Sequence, residues 1–171
     1  PEAYGRIGDW ERVKPGWFTA AYGRCIAPEL PVLWAEFGYT VWDNSLHRPS
    51  PGRLAFAEQF YDDFYTMAYR SGANGTVCWW FPGGYRWNEH SDYGIINPDR
   101  SWRAVTKVIN GWHKKMTAPR GVPAPETIIS FDRSATNRQI PGIYEQTKEA
   151  FWKAVDAGKM PGLAEEPTPA P

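Results

Sequence analysis

The succession of apolar runs, loops and amphipathic segments constrains the fold of this chain most strongly. An apolar run over residues 31–36 leads into a long loop that closes at a Pro-Ser-Pro-Gly stretch, and an amphipathic segment follows. The order then repeats, with a second apolar run over residues 75–81, a second long loop and a second amphipathic segment. Strands that alternate with helices predict an α/β fold with a parallel sheet.

The two amphipathic segments predict helices. In the first, over residues 53–71, apolar residues recur at three- and four-residue steps until Gly72, which is expected to end the helix. The second is expected to start within residues 97–101 and carries an apolar stripe that includes Ile109 and Trp112. Residues 1–24, rich in Gly and Trp, are expected to form an irregular entry loop with one helical turn.

Glu36 stands out in the first apolar run because it lies where the strand ends. An ionised carboxylate is costly to bury unless a partner stabilises it. Glu36 is therefore either satisfied by an arginine or a backbone N–H, or used in chemistry. Because barrel enzymes hold their reactive groups at the carboxyl ends of parallel strands, Glu36 is the candidate catalytic residue.

The two apolar runs resemble strands seven and eight of the (β/α)8 barrel in clan A retaining glycoside hydrolases, such as the family five and family forty-two enzymes. In that clan the seventh strand ends in the nucleophilic Glu, often followed by an aromatic residue and Gly, as in Glu36-Phe37-Gly38. The eighth strand follows a Gly-x-x-x-Trp pattern, which Gly75 and Trp79 match. The resemblance implies that residues 1–116 are the C-terminal part of a TIM-barrel catalytic domain.

The resemblance also implies roles for individual side chains. Glu36 takes the position of the nucleophile, and Trp79 that of the platform on which a sugar stacks in the innermost subsite. Aromatic rings stack against the apolar faces of pyranose rings. Four more aromatic residues lie on the two loops of the active face, and each is expected either to contact substrate or to pack within its loop: Tyr39, Trp42, Tyr85 and Trp87. Strand alternation predicts that Trp80 lies in the core unless a bulge intervenes.

Retaining hydrolysis needs a second carboxyl group, about 5 Å from the first. In the clan this acid/base is a Glu, usually preceded by Asn, at the end of strand four, and this chain has no such strand. Asn88-Glu89 repeats the dipeptide but lies in the loop after the eighth strand, so it is not assigned that role. Glu89, Arg86 or Asp92 is expected to contact substrate hydroxyls or to form a salt bridge within the loop.

Charge and residue usage exclude several classes of function. With 19 basic and 19 acidic side chains, the chain has no net charge to steer it to nucleic acid or to an anionic membrane. No apolar run approaches the roughly 20 residues that span a bilayer. The 3 histidines are scattered and no Cys-x-x-Cys spacing occurs, so no metal and no other cofactor is predicted. Cys78 lies in the second apolar run and is expected to be a buried, reduced thiol.

The composition changes after residue 116. Residues 117–163 are expected to form a post-barrel extension of unknown role, with a strand over 127–131 and a helix over 143–157. Residues 164–171 are expected to be a Pro-rich linker or a disordered tail. The start in Pro-Glu-Ala-Tyr, without Met, indicates a processed or excised piece from which an export signal would be missing, and a secreted or periplasmic location is favoured over the cytoplasm.

A complete barrel needs about 250 residues, and two strands alone would leave sheet edges unpaired. We therefore expect the N-terminal remainder of the barrel, on the same or a separate polypeptide, as a partner. The preferred function is a retaining β-glycosidase acting on a carbohydrate substrate, with this chain supplying the nucleophile. The alternative is a non-hydrolytic carbohydrate-binding relative that keeps the aromatic platforms. An unrelated α/β interaction module is disfavoured by the strand-end Glu and the long aromatic loops.

Overall fold

A computed structural model describes residues 13–136 and 139–166. Its elements follow in this order: α1 (Lys14–Ile26), β1 (Leu33–Phe37), β2 (Trp42–Asp43), β3 (Arg48–Pro49), α2 (Pro51–Arg70), β4 (Gly75–Cys78), α3 (Val105–Thr117), β5 (Thr127–Phe131), α4 (Ile140–Asp156) and β6 (Pro161–Glu165). None of the helices in these ranges is long and apolar enough to cross a membrane. The expectations for residues 1–12 and 167–171 lie outside the described residues.

β1 and β4 form a parallel pair, as the repeated strand and helix order predicts. The register joins three residues of each strand: Leu33 with Gly75, Trp34 with Thr76, and Phe37 with Cys78. α2 covers one face of the pair, whereas Leu33 and Val77 on the other face are 60% and 53% exposed. The prediction of buried strands is therefore wrong for that second face, because it lies uncovered within the described residues.

The bounds of α2 lie within two residues of the predicted ones. Ser50 caps the start, where its Oγ accepts a hydrogen bond from the Arg53 N–H at 3.4 Å. Gly72 follows the end with a φ of 76°, which glycine adopts without steric cost. On the buried face, the rings of Phe37 and Phe64 stack with their centroids 3.8 Å apart. This stacking fixes the end of β1 against α2.

The prediction of an irregular entry loop is wrong for residues 14–24, which belong to α1. Trp17, Phe18 and Ala21 are buried on one face of this helix. Gly16 misled the prediction, because it reads as a loop residue. A Cβ at Gly16 would come within 2.6 Å of the Met67 methyl group, so the glycine allows α1 to approach α2 closely.

The prediction that the next helix starts within residues 97–101 is also wrong, since α3 starts at Val105. Asp99 instead forms a turn, in which its carboxylate accepts hydrogen bonds from both the N–H and the hydroxyl of Ser101. From Val105 onward α3 packs against α2. The Trp112 indole donates to the Asp62 carboxylate at 2.7 Å and joins the two helices.

The C-terminal segment folds as a second parallel pair, β5 and β6, connected through α4. The strand over residues 127–131 is confirmed, but the chain continues into β6 where a linker was predicted to begin at residue 164. This pair packs on α1, where the centroids of the Tyr22 ring of α1 and the Phe131 ring of β5 lie 6.4 Å apart. Arg133 after β5 pairs with Glu165 of β6 at 2.8 Å. β5, α4 and β6 therefore form one unit of strand, helix and strand, which extends beyond the predicted boundary at residue 163.

Candidate active site

A β-bulge in β1 determines where Glu36 points. Between the paired positions Trp34 and Phe37, β1 advances three residues while β4 advances two, so Ala35 and Glu36 together oppose Val77. Trp34 and Phe37 both pack against Phe64 of α2. Ala35, Glu36 and Val77 are all exposed, on the open face of the pair. Bulges re-aim side chains in this way next to active sites.

The carboxyl ends of β1 and β4 lie side by side. The Trp79 N–H donates to the Phe37 carbonyl at 2.6 Å, one residue beyond Glu36. A Cβ at Gly38 would collide with the Trp79 carbonyl oxygen, so only glycine allows this approach. β4 ends at Cys78, which packs against the core, and Trp79 is the first residue beyond the strand.

The prediction that Trp80 lies in the core is wrong. β4 ends at Cys78, so strand alternation does not extend to Trp80. Its side chain is exposed, and its ring centroid lies 5.0 Å from that of Trp79. The peptide bond between the two tryptophans is cis. The strand pair therefore ends in two neighbouring indole rings rather than one.

The loop after β4 folds back over these two rings. An antiparallel bridge joins Arg86 and Ser91, and the Arg86 N–H donates to the Ser91 carbonyl at 2.8 Å. The Arg86 guanidinium lies over both indoles, 5.1 Å from the Trp79 centroid and 4.7 Å from that of Trp80. Arg86 Nη2 pairs with Glu89 at 2.8 Å. Of the two alternatives for Glu89, the structure contains the salt bridge within the loop.

The loop after β1 contacts the loop after β4 through aromatic side chains. Its small antiparallel pair, β2 and β3, carries Trp42, whose ring packs on Tyr85 with the centroids 4.3 Å apart. Trp87 contacts the other side of Tyr85 and is 81% exposed. Hydrogen bonds from the Ser45 hydroxyl and N–H hold the pKa of Asp43 below its ordinary value, and the carboxylate stabilises the turn as an anion.

Tyr39 packs on α2, and its contact with substrate stays a prediction. Its ring lies 4.4 Å from that of Phe56 and 6.0 Å from that of Phe60, both on α2. Trp42, Tyr85 and Trp87 are brought together, and the backbone of Trp79 bonds to Phe37, the residue after Glu36. No group of three or more His, Cys, Asp and Glu side chains within the described residues is arranged to hold a metal ion.

A buried ion pair anchors both loops; a salt bridge was one alternative predicted for Asp92, but neither its burial nor its partner Arg103 was predicted. The Asp92 carboxylate accepts two hydrogen bonds from the Arg103 guanidinium, at 3.0 and 2.7 Å, and the two side chains are only 1% and 2% exposed. The Asp92 backbone bonds to the other loop, because its N–H donates to the Thr40 hydroxyl and its carbonyl accepts from Val41. Asp92 is thus a structural residue rather than a substrate contact.

The only sequence signal for this pair was an arginine immediately before an apolar stripe. Cys78 is a free thiol, as predicted, but it is half-buried rather than buried; it packs against the core, and this partial burial raises its pKa.

Comparison with protein-family models and with curated protein sequences gives no match. Solved structures do match. A GH5_18 variant from Bifidobacterium longum subsp. longum in complex with Manβ1-4GlcNAc has a TM-score of 0.65 at 12% identity, over 92% of this chain and 38% of that one. An exo-β-1,4-mannosidase from Opitutaceae bacterium strain TAV5 has a TM-score of 0.57 at 16% identity, over 98% of this chain and 31% of that one.

A β-galactosidase from Halorubrum lacusprofundi matches with a TM-score of 0.56 at 20% identity, over 94% of this chain and 24% of that one. The chain thus spans between about a quarter and two fifths of the length of these three structures. At these identities the likeness concerns the fold. This chain therefore has a mixed α/β fold that matches part of glycoside hydrolase chains.

Proposed function

We propose that this chain is the nucleophile-bearing part of a clan A retaining glycoside hydrolase, which hydrolyses β-glycosidic bonds of an oligo- or polysaccharide. The observation that carries the proposal is the bulge in β1, which turns Glu36 to the open face of a parallel strand pair, at its carboxyl end, where the Trp79 N–H bonds to the next residue, Phe37. Barrel enzymes hold their catalytic groups at such strand ends. The fold shared with glycoside hydrolase chains adds support.

In this mechanism the Glu36 carboxylate attacks the anomeric carbon and forms a glycosyl-enzyme intermediate. A second carboxyl group, about 5 Å away, protonates the leaving oxygen and then activates the water that releases the sugar. Trp79 stacks on the sugar in the innermost subsite, and Trp42, Tyr85 and Trp87 form an aromatic wall along the bound chain. Tyr39 and Glu89 are further candidates for substrate contact in this proposal, and within the described residues Tyr39 packs on Phe56 while Glu89 pairs with Arg86.

The same proposal makes residues 1–116 the C-terminal part of the barrel, with β1 and β4 as strands seven and eight, and residues 117–163 an extension. The partner is the N-terminal remainder, which supplies the acid/base. Uncovered apolar surface supports this partner. Besides the open face of β1 and β4, a groove of about 770 Å³ lies between the loop after β4 and α3. Trp102 on its rim is 75% exposed.

The test is kinetic and uses this chain within a complete barrel. Glu36→Ala should abolish turnover of activated aryl β-mannosides and β-galactosides, substrates suggested by the structural neighbours. Sugar binding should persist, because the aromatic contacts remain. Azide or formate should then restore some activity by attacking the vacated face, and the product should have inverted anomeric configuration.

Glu58→Ala is the matched control, because Glu58 is an exposed glutamate on α2. It should leave turnover unchanged. Rescue of Glu36→Ala with retained configuration would identify Glu36 as the acid/base instead. Near wild-type turnover in Glu36→Ala would remove Glu36 from catalysis. A wild-type protein that binds oligosaccharides without turnover would support the non-hydrolytic alternative.

A further inference from the structure

We propose that Arg86 is a positioning residue that holds the Trp79 and Trp80 rings in the orientation that binds the sugar. The inference rests on the proposed function, since it assigns Trp79 as the sugar platform. It goes beyond that function, because it assigns the geometry of the platform to a cation in the loop after β4. Substrate affinity would then depend on a side chain that does not itself take part in the reaction.

The contacts of Arg86 support this role. Its guanidinium lies within about 5 Å of two indole centroids, a distance at which a cation is attracted to the face of each ring. Trp79 and Trp80 follow the end of β4, and Trp80 is exposed. Neither ring is fixed by a strand, so a cation that contacts both can determine how they lie relative to each other.

Few other contacts hold the guanidinium. Nη2 pairs with Glu89, whereas Nη1 is buried and has no hydrogen-bond partner within the described residues. Burying such a donor is unfavourable, and the two indole faces offset part of that cost. The stacking contacts are therefore a main determinant of the position of Arg86.

Arg86 is in turn tied to the rigid part of the fold. Glu89 accepts a hydrogen bond from the Ser91 hydroxyl at 3.1 Å, and the backbone of Arg86 bonds to that of Ser91. Ser91 precedes Asp92, whose buried pair with Arg103 anchors the loop. Arg86 thus connects the two indole rings to the buried Asp92–Arg103 pair through Glu89 and Ser91.

The test compares Arg86→Met and Arg86→Lys in the complete barrel. Methionine keeps an apolar stem and removes the charge, whereas lysine keeps a cation that can still stack on indole and pair with Glu89. Arg86→Met should raise the KM of aryl glycosides about tenfold, with kcat changed less than threefold, because it removes binding shared by ground and transition states. Arg86→Lys should recover most of the KM.

A spectroscopic measurement gives an independent readout. Two indoles 5.0 Å apart couple electronically, and the circular dichroism of that coupled pair should fall in Arg86→Met and return in Arg86→Lys. Trp80→Phe identifies which part of the spectrum arises from the pair. Arg70→Met is the matched control, because Arg70 stacks on Trp17 at 4.9 Å outside the site, and it should leave both KM and the signal of the pair unchanged.

An unchanged KM and an unchanged spectrum in a folded Arg86→Met variant would overturn the proposal. If Glu36→Ala is inactive at the same time, the proposed function stands and only the role of Arg86 is lost. If Glu36→Ala keeps its turnover, the proposed function is lost, and the spectrum alone decides whether Arg86 holds the two rings. A KM that rises equally in the methionine and lysine variants would also contradict positioning by the cation.

Discussion

The buried Asp92–Arg103 pair offers the sharpest test of how the candidate site is held together. Asp92→Asn changes one atom and keeps the size of the side chain. The Arg103 guanidinium would then lose its counter-ion and keep two neutral acceptors, the Gly94 carbonyl at 2.5 Å and the Asn97 amide oxygen at 2.9 Å. With 2% of its side chain exposed, water cannot replace the lost charge.

Breaking a buried ion pair by removal of one partner costs about 3–5 kcal/mol. The two neutral acceptors that remain put the expected loss for Asp92→Asn at the lower end, about 3 kcal/mol of unfolding free energy. A loss of this size lowers the ratio of folded to unfolded protein more than about 100-fold. The double variant Asp92→Leu with Arg103→Met removes both charges together, so it should lose less stability than Asp92→Leu alone.

Urea denaturation of the complete barrel, followed by circular dichroism, measures these differences, and a constant slope m would show that only stability has changed. KM should rise in Asp92→Asn as well, because both site loops bond to the Asp92 backbone. A loss below about 1 kcal/mol would refute the reasoning. So would a double variant that is as unstable as the sum of the single ones, since the two side chains would then act independently.

Two further predictions concern packing. This chain expressed alone should not give a cooperative, monomeric unfolding transition, because the open face of β1 and β4 exposes Leu33 and Val77; a sharp two-state melt of a monodisperse monomer would contradict this. Gly38→Ala should lower the unfolding free energy of the complete barrel by about 1–3 kcal/mol, because its Cβ would strike the Trp79 carbonyl. Gly52→Ala is its control, since a Cβ there meets nothing within 4 Å. An unfolding free energy that is the same in the two variants would count against the close approach of the strand ends.

The parts of the fold that the sequence predicts well are those whose signals are local. α2 has an apolar period, a serine cap and a terminal glycine, and its bounds lie within two residues of the prediction. The parallel pairing of β1 and β4 follows from the helix that connects them. The signals of α2 lie within one segment, and the order of strand, helix and strand is itself visible in the sequence, so the pattern carries the information in both cases.

The errors arise where a distant contact changes the meaning of a local signal. Gly16 reads as a loop residue, yet it lies within α1, where the absence of a Cβ leaves room for the Met67 side chain of α2. Asn97-Pro-Asp-Arg-Ser reads as a helix start, yet Arg103 bonds back to Asp92 and Gly94 and delays the helix to Val105. The ion-pair partners lie 11 residues apart and share no periodic pattern, so sequence alone does not join them.

The orientation of Glu36 depends on a similar departure from local pattern. In a regular strand, side chains two residues apart share a face, so Glu36 would lie on the side of Trp34, whose ring contacts Phe64 of α2 at 5.5 Å. A carboxylate there would be buried among aromatic rings, at a considerable desolvation cost. One extra residue in β1 lets Trp34 and Phe37 both pack on α2 and leaves Glu36 on the open face. The packing preference of two aromatic residues therefore determines which face carries the candidate nucleophile, and that preference depends on the position of α2.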